Sequence, residues 1–141
     1  MTRRRALGIA AVGVWAVTLG GCVYYPTVVD VGGTRILPSK GRAVRGGESV
    51  AFYCELQSVG KYGDTIIGVM SPVARDVRLV DGQGQPLQSF AINGETTVMF
   101  AENGTHVVLS GLTRPLVAGE TIIVTLLLQK AGGLGVVTIV E

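Results

Sequence analysis

The sequence predicts an all-β domain in which two antiparallel sheets pack face to face. Three observations lead there. Apolar runs of strand length recur along residues 49–140, each bounded by Gly, Pro, Asn or Asp. The best patterned run, Ser49–Gln57, alternates, putting Phe52, Cys54 and Leu56 on one face and Tyr53 and Glu55 on the other. No segment past the N-terminal region carries an apolar stripe of helical period, so layers of sheet must bury one another.

The remaining elements follow in order. Val28–Leu37 reads as a peripheral strand, and the Pro-, Gly- and charge-rich residues after it read as a turn-rich connection. Thr65–Met70 and Asp76–Val80 are short strands separated by Ser71-Pro72. Leu87–Ile92 and Thr96–Phe100 flank Asn93-Gly94, and Asp81-Gly82 precedes the first of them; residues tolerant of positive φ favour tight turns at both dipeptides. Thr105–Leu109 comes next. Thr121–Gln129 is apolar enough for a buried helix, but its β-branched start and the Gly-Glu before it favour a central strand. Leu134–Val140 is a β-branched run and the last strand.

The N-terminus is a different kind of sequence. Arg3, Arg4 and Arg5 precede an apolar stretch from Ala6 to Leu19, and small residues follow, which is the order of a secretory signal. The stretch is shorter than the roughly 20 residues that span a hydrocarbon core. It ends in Leu19-Gly20-Gly21-Cys22, which resembles the lipobox of bacterial lipoproteins. That resemblance implies a signal peptide over 1–21, cleavage before Cys22, and acyl chains such as palmitate on Cys22. Each buried methylene contributes about 0.8 kcal/mol, so two or three chains hold a protein on the extracytoplasmic face of a membrane. Residue 23 is Val, so no Asp-after-Cys retention signal is present. The expected organisation is a signal peptide at 1–21, a lipidated Cys, tether and peripheral strand at 22–48, and a β-sandwich core at 49–141.

Charge and side-chain inventory narrow the function classes. Three of the twelve basic residues lie in the leader, leaving nine against ten acidic and a net charge of −1, which gives no support to nucleic-acid binding. With Cys22 lipidated, Cys54 has no intrachain disulfide partner, and its phase with Phe52 and Leu56 marks it as a buried thiol. His106 is the only histidine; an imidazole there can ligate copper, act as a base or simply pack. Met70 and Met99 are explained as packing side chains. Asp64, Asp76, Asp81, Glu95, Glu102 and Glu120 are scattered among turns and strand ends, with no spacing for paired acid/base work. No nucleophile elbow, phosphate loop or dinucleotide loop occurs, so an enzyme is not expected and catalytic residues are none.

Three segments together carry a wider resemblance: SVAFYCELQSVG, then GDTIIGVMSPVARDVRLVD, then ENGTHVVLSGLTRPLVAGETIIVTLLLQKAG before the final β run. Over Ser49–Val140 the chain resembles the PCu(A)C, or DUF461, family of extracytoplasmic copper chaperones. The resemblance implies a cupredoxin-like antiparallel β-sandwich. It also implies where copper ligands belong: a His following the SPVA segment, a Met in the next hairpin, and a later His-x-Met pair. Val80 stands at the first His, Leu87–Ile92 supplies no Met, His106 is retained, and Val108 replaces the Met of the pair. Aliphatic side chains have no lone pairs for a soft cation. No metal is therefore expected at the usual site and no cofactor is required.

The expected function is that of a lipid-anchored, non-enzymatic scaffold or accessory protein with a degenerate copper-chaperone-like domain. Its expected partners are the membrane, through the lipid, and an envelope or respiratory membrane protein, with no nucleic acid. The main alternative is an atypical Cu(I) chaperone that uses His106 with Cys54, Met70, Met99 or ligands supplied by a partner. A small-molecule-binding or enzymatic β-sandwich is the second.

Overall fold

The structure is a computed structural model that describes residues 29–31 and 33–141. The predicted signal peptide and Cys22 lie outside the described residues. Ten strands run in chain order: β1 (Val29–Val31), β2 (Thr34–Gly46), β3 (Ser49–Ser58), β4 (Asp64–Met70), β5 (Ala74–Val80), β6 (Phe90–Ile92), β7 (Thr96–Met99), β8 (His106–Leu112), β9 (Thr121–Leu128) and β10 (Gly132–Val140). No helix occurs among the described residues.

The strands form one continuous sheet in the order β5-β8-β3-β2-β10-β9-β4-β6, with β1 added to β2 and β7 added to β3. The sheet curls until β4 and β5, from opposite halves of the path, touch. This is the sandwich the sequence predicts, closed by curvature of one sheet in place of two separate ones. All pairings are antiparallel except β2 with β10, which run parallel through Gly41–Ala43 and Thr138–Val140.

Alternation along the strands fills the interior. Phe52 and Leu56 on β3, Leu126 on β9, and Leu134 and Val136 on β10 are fully buried, together with Ile66, Ile92 and Leu109. Each such side chain contributes roughly 1.5–3 kcal/mol when removed from water. The face expected for Ser49–Gln57 is the observed one, and Thr121–Gln129 is a central strand between β10 and β4.

One expectation is corrected. The stretch read as a peripheral strand plus a turn-rich connection is largely one 13-residue strand, β2, which lies between β3 and β10 and contributes Ile36 and Ala43 to the core. The packed domain therefore reaches back to Thr34 and does not begin at Ser49. Pro38 and Gly41 suggested turns, yet Pro38 falls between the segment joined by β1 (34–36) and that joined by β10 (41–43), so its missing N–H breaks no rung of either ladder. A register shift between Ser39 and Arg42, with Lys40 at φ 55°, lets β2 bend where the sheet curls.

The turn expected at Asn93-Gly94 is present, and the strands on either side of it do not pair with each other. β6 pairs with β4, whereas β7 pairs with β3, so the chain crosses between the two halves at this point. Gly94 is required there because a Cβ would collide with the Lys61 carbonyl, and Gly63 because a Cβ would collide with that of Ile92. These close backbone approaches clamp the 59–63 loop to the 93–95 turn. Asp64 completes that end: Oδ1 accepts from the N–H groups of Thr65 (2.7 Å) and Lys130 (2.9 Å), and Oδ2 from Ala131 (3.0 Å).

Candidate functional site

The positions at which copper ligands were expected come together on the outer face of the β5–β8 pair. Val80 sits directly opposite His106 in the antiparallel register, and Val108 lies two residues further along β8 on the same face, opposite Arg78. Val107 and Leu109, of the other phase, are buried in the core. The strand pattern, not any loop, thus gathers Val80, His106 and Val108 into one patch. Val80 is itself buried, with Pro86 bridged to it at the edge of β5.

His106 is fixed from two sides. Its Nδ1 lies 2.9 Å from the Gly104 carbonyl oxygen. A carbonyl can only accept, so Nδ1 carries the hydrogen and the neutral ring keeps a lone pair on Nε2. The ring is tilted at 45° to that of Tyr53, with centroids 5.6 Å apart. The Arg42 guanidinium lies 4.9 Å from the Tyr53 centroid and pairs with Glu141 at 3.3 Å. Across β5, β8, β3 and β2 the outer face therefore presents a row of Val80, His106, Tyr53 and Arg42. Tyr53 was expected on this face, and it is buried there because His106 and Arg42 cover it.

Beside this row lies a shallow cleft of about 300 Å³, bordered by Lys40, Arg42, Tyr53, Glu55 and Met99. Met99 pairs with Glu55 on the flank of β3 and is 58% exposed; Met70 is 45% exposed. Neither packs into the core as expected. The reason for Met99 is its phase: Val98 turns inward against the core and Met99 turns outward with Glu55. Met99 and His106 consequently flank β3 on one outer face, at rungs two residues apart, a relation hidden in sequence because β7 and β8 share β3 as a partner. Met70 lies on β4, which is hydrogen-bonded to β9 and β6 and shares no ladder with β8.

Cys54 is on the opposite, inner face. Burial, and secondarily the charge of Glu55, push its thiol up to about 12. It is a packing side chain and does not join His106. Lys40 and Glu55 pair at 3.3 Å on the cleft rim. Among the described residues, no group of three or more His, Cys, Asp or Glu side chains is placed to hold a metal ion. The scattered carboxylates do not converge either: Asp64 holds backbone N–H groups, Asp81 closes the 81–85 turn through the N–H groups of Gln83 and Gln85, and Glu120 pairs with Arg114 at 2.7 Å.

The LpqE-like lipoprotein family profile matches residues 29–140. No curated protein matches the chain. Among solved structures, the copper-bound PCuAC domain from PmoF2 superposes with a TM-score of 0.67 at 22% identity, covering 81% of this chain and 97% of that domain. The apo PCuAC domain from PmoF1 gives 0.66 at 21% identity, with 81% and 98% coverage. The Cu(I) form of DR1885 from Deinococcus radiodurans gives 0.61 at 24% identity, with 74% and 76% coverage. These likenesses establish that the curled sheet has the PCuAC-type, cupredoxin-like fold.

Proposed function

Because the chain belongs to the LpqE-like lipoprotein family, whose members are lipid-anchored on the extracytoplasmic face of a membrane, we propose that it is an accessory protein carrying a degenerate copper-chaperone domain. In this reading residues 1–21 are removed, Cys22 carries the lipid, and the domain docks an envelope or respiratory membrane protein without catalysing a reaction. The observation that carries it is the Val80–His106–Val108 patch, where two of three neighbouring donor positions are aliphatic. A single imidazole does not hold Cu(I) tightly, and Val cannot contribute a lone pair. A fold supplies a platform, and what it does depends on the groups placed on it.

A competition titration with a Cu(I) chelator tests the reading on the exported chain and on His106→Ala and Cys54→Ala variants. The expected result is no stoichiometric binding that either substitution abolishes. Tight binding lost with His106 would overturn the reading. Crosslinking in the native membrane then identifies the docked protein.

One observation favours the second reading, an atypical Cu(I) carrier. Anchoring of Nδ1–H on the Gly104 carbonyl leaves Nε2 as the free donor, an arrangement shared by metal-ligating histidines, and exposed Met99 stands on the same face. Cys54 is excluded from that set by its position on the inner face. A His106→Ala- and Met99→Leu-sensitive Cu(I) complex, formed only with the partner present, is the result that would select it.

A further inference from the structure

In the reading that Cys22 carries a lipid, the length of the tether bounds the distance between the sheet and the membrane. Val29, where β1 begins, is seven residues after Cys22, and seven extended residues reach at most about 25 Å. A bilayer holding the Cys22 acyl chains therefore lies within that distance of β1. The elements at this end are fixed by the registers. β1 joins the start of β2 through Val31 and Thr34, and Thr34 Oγ1 donates to the Gly63 carbonyl at 3.2 Å. The 59–63 loop, the 93–95 turn and the 129–131 hairpin converge there through Asp64, Gly63 and Gly94.

The side chains at this end have the chemistry of a membrane–water interface. Tyr62 is 53% exposed and Val59 42%, both in the 59–63 loop. The Lys61 ammonium lies 5.5 Å from the Tyr62 ring centroid, and Lys130 Nζ donates to the Gly63 carbonyl at 3.1 Å, leaving its other hydrogens free. Arg35, the β2 partner of Asp30, is exposed. Glu95 lies in the 93–95 turn, while the Asp64 carboxylate is buried and turned onto three backbone N–H groups. Tyrosine with flanking lysines suits the headgroup layer, since the ring is amphipathic and lysine stems bury carbon while keeping charge in water. The sequence Cys22-Val23-Tyr24-Tyr25 adds two more aromatic residues directly after the anchor.

We infer that this end of the domain, centred on Tyr62 with Lys61 and Lys130, is a second membrane contact that rests on anionic phospholipid headgroups. The inference depends on the reading that Cys22 carries the lipid. The bilayer is the occupant because the tether holds it within reach of this end. The 113–120 loop, tied to the opposite end of β2 and β10 by Arg45 Nη1 to Leu116 O and Gly119 N to Val140 O, points away from it.

Fluorescence tests this on the lipidated chain. The single tryptophan, Trp15, is in the leader, so Tyr62→Trp gives one reporter in the cleaved protein and Val117→Trp gives a control at the far end. The protein is extracted with its lipid, the mass on Cys22 is checked, and it is reconstituted in vesicles of phosphatidylcholine with 30% phosphatidylglycerol, with and without brominated chains. Expected are quenching by bromolipid at position 62 and none at 117. Lys61→Gln and Lys130→Gln are expected to reduce the docked population about fivefold each and roughly thirtyfold together. Equal quenching at both positions overturns the proposal. So does quenching that ignores the anionic fraction and both lysine changes, or protection of position 62 from iodide without bromolipid quenching, which would mean that protein covers it. An unlipidated Cys22 removes the anchoring reading itself, whereas a lipidated chain with an unquenched reporter overturns the contact alone.

Discussion

Asp64→Ala offers the sharpest test of how the tether end is held together. The Asp64 carboxylate, 5% exposed, joins the first residue of β4 to the β9–β10 hairpin by accepting from Lys130 and Ala131, 66 and 67 residues away, as well as from Thr65. Hydrogen bonds to a charged group contribute about 1.5–3 kcal/mol each. Three bonds sharing one carboxylate are not independent, and water can reach some of the released N–H groups, so a total loss of about 3–4 kcal/mol is expected. Against a typical stability of about 5–15 kcal/mol this is a large fraction. Asp64→Asn retains one oxygen but turns an amide N–H toward a backbone donor, so about half the loss is expected. Urea unfolding of residues 22–141 carrying Cys22→Ser, followed by circular dichroism, reads both values from the midpoint at constant slope. A change below about 1 kcal/mol for Asp64→Ala would show that the three N–H groups find equivalent partners without the carboxylate, and the clamp described here would be wrong.

Other outcomes are expected from the same structure. Introducing Val80→His and Val108→Met together places donors around His106, and cross-strand Cβ atoms about 5 Å apart let two imidazoles converge. Cu(I) retention in competition titrations should then rise by more than roughly 100-fold over the parent, with the gain abolished by His106→Ala. Cys54, with its thiol pushed up to about 12, presents only about one thiolate in ten thousand at pH 8. Disulfide reagents should label it only in step with unfolding, and rapid labelling of the native chain would contradict its inner-face placement. Glu120 is held below the ordinary carboxylate range by the Arg114 guanidinium and then by the Val117 N–H. A depressed folded-state value means that its contribution is complete above the unfolded value and is lost as pH falls through the folded one. The acid limb of a melting-temperature profile should therefore flatten slightly in Glu120→Gln, and only slightly, because the pair is exposed.

The legible parts of the chain are those where side-chain period and burial coincide. Ser49–Ser58 alternates because β3 faces the core on one side only, and Thr121–Leu128 is almost wholly apolar because β9 is central. β2 was not legible because its bend uses residues that elsewhere mean a turn: Pro38, Lys40 and Gly41 sit at or beside the register shift. Their tolerance there depends on β1 and β10 leaving a gap, which is information from distant sequence. The partners of Asn93-Gly94 were hidden for the same reason, since a turn dipeptide fixes local geometry and not which strands its flanks join. At the site, the neighbourhood of Val80, His106 and Val108 was legible through resemblance. The approach of Met99 and the cover that His106 and Arg42 place over Tyr53 needed the actual order of strands.

The single parallel pairing has a bearing on when the fold can close. Residues 34–46 are synthesised early, but their neighbour in the centre of the sheet, residues 132–140, follows almost a hundred residues later. Until then β2 has an open edge and the interior lacks Leu134 and Val136. Partial chains cannot close the fold, so folding is completed only after the last strand has been made.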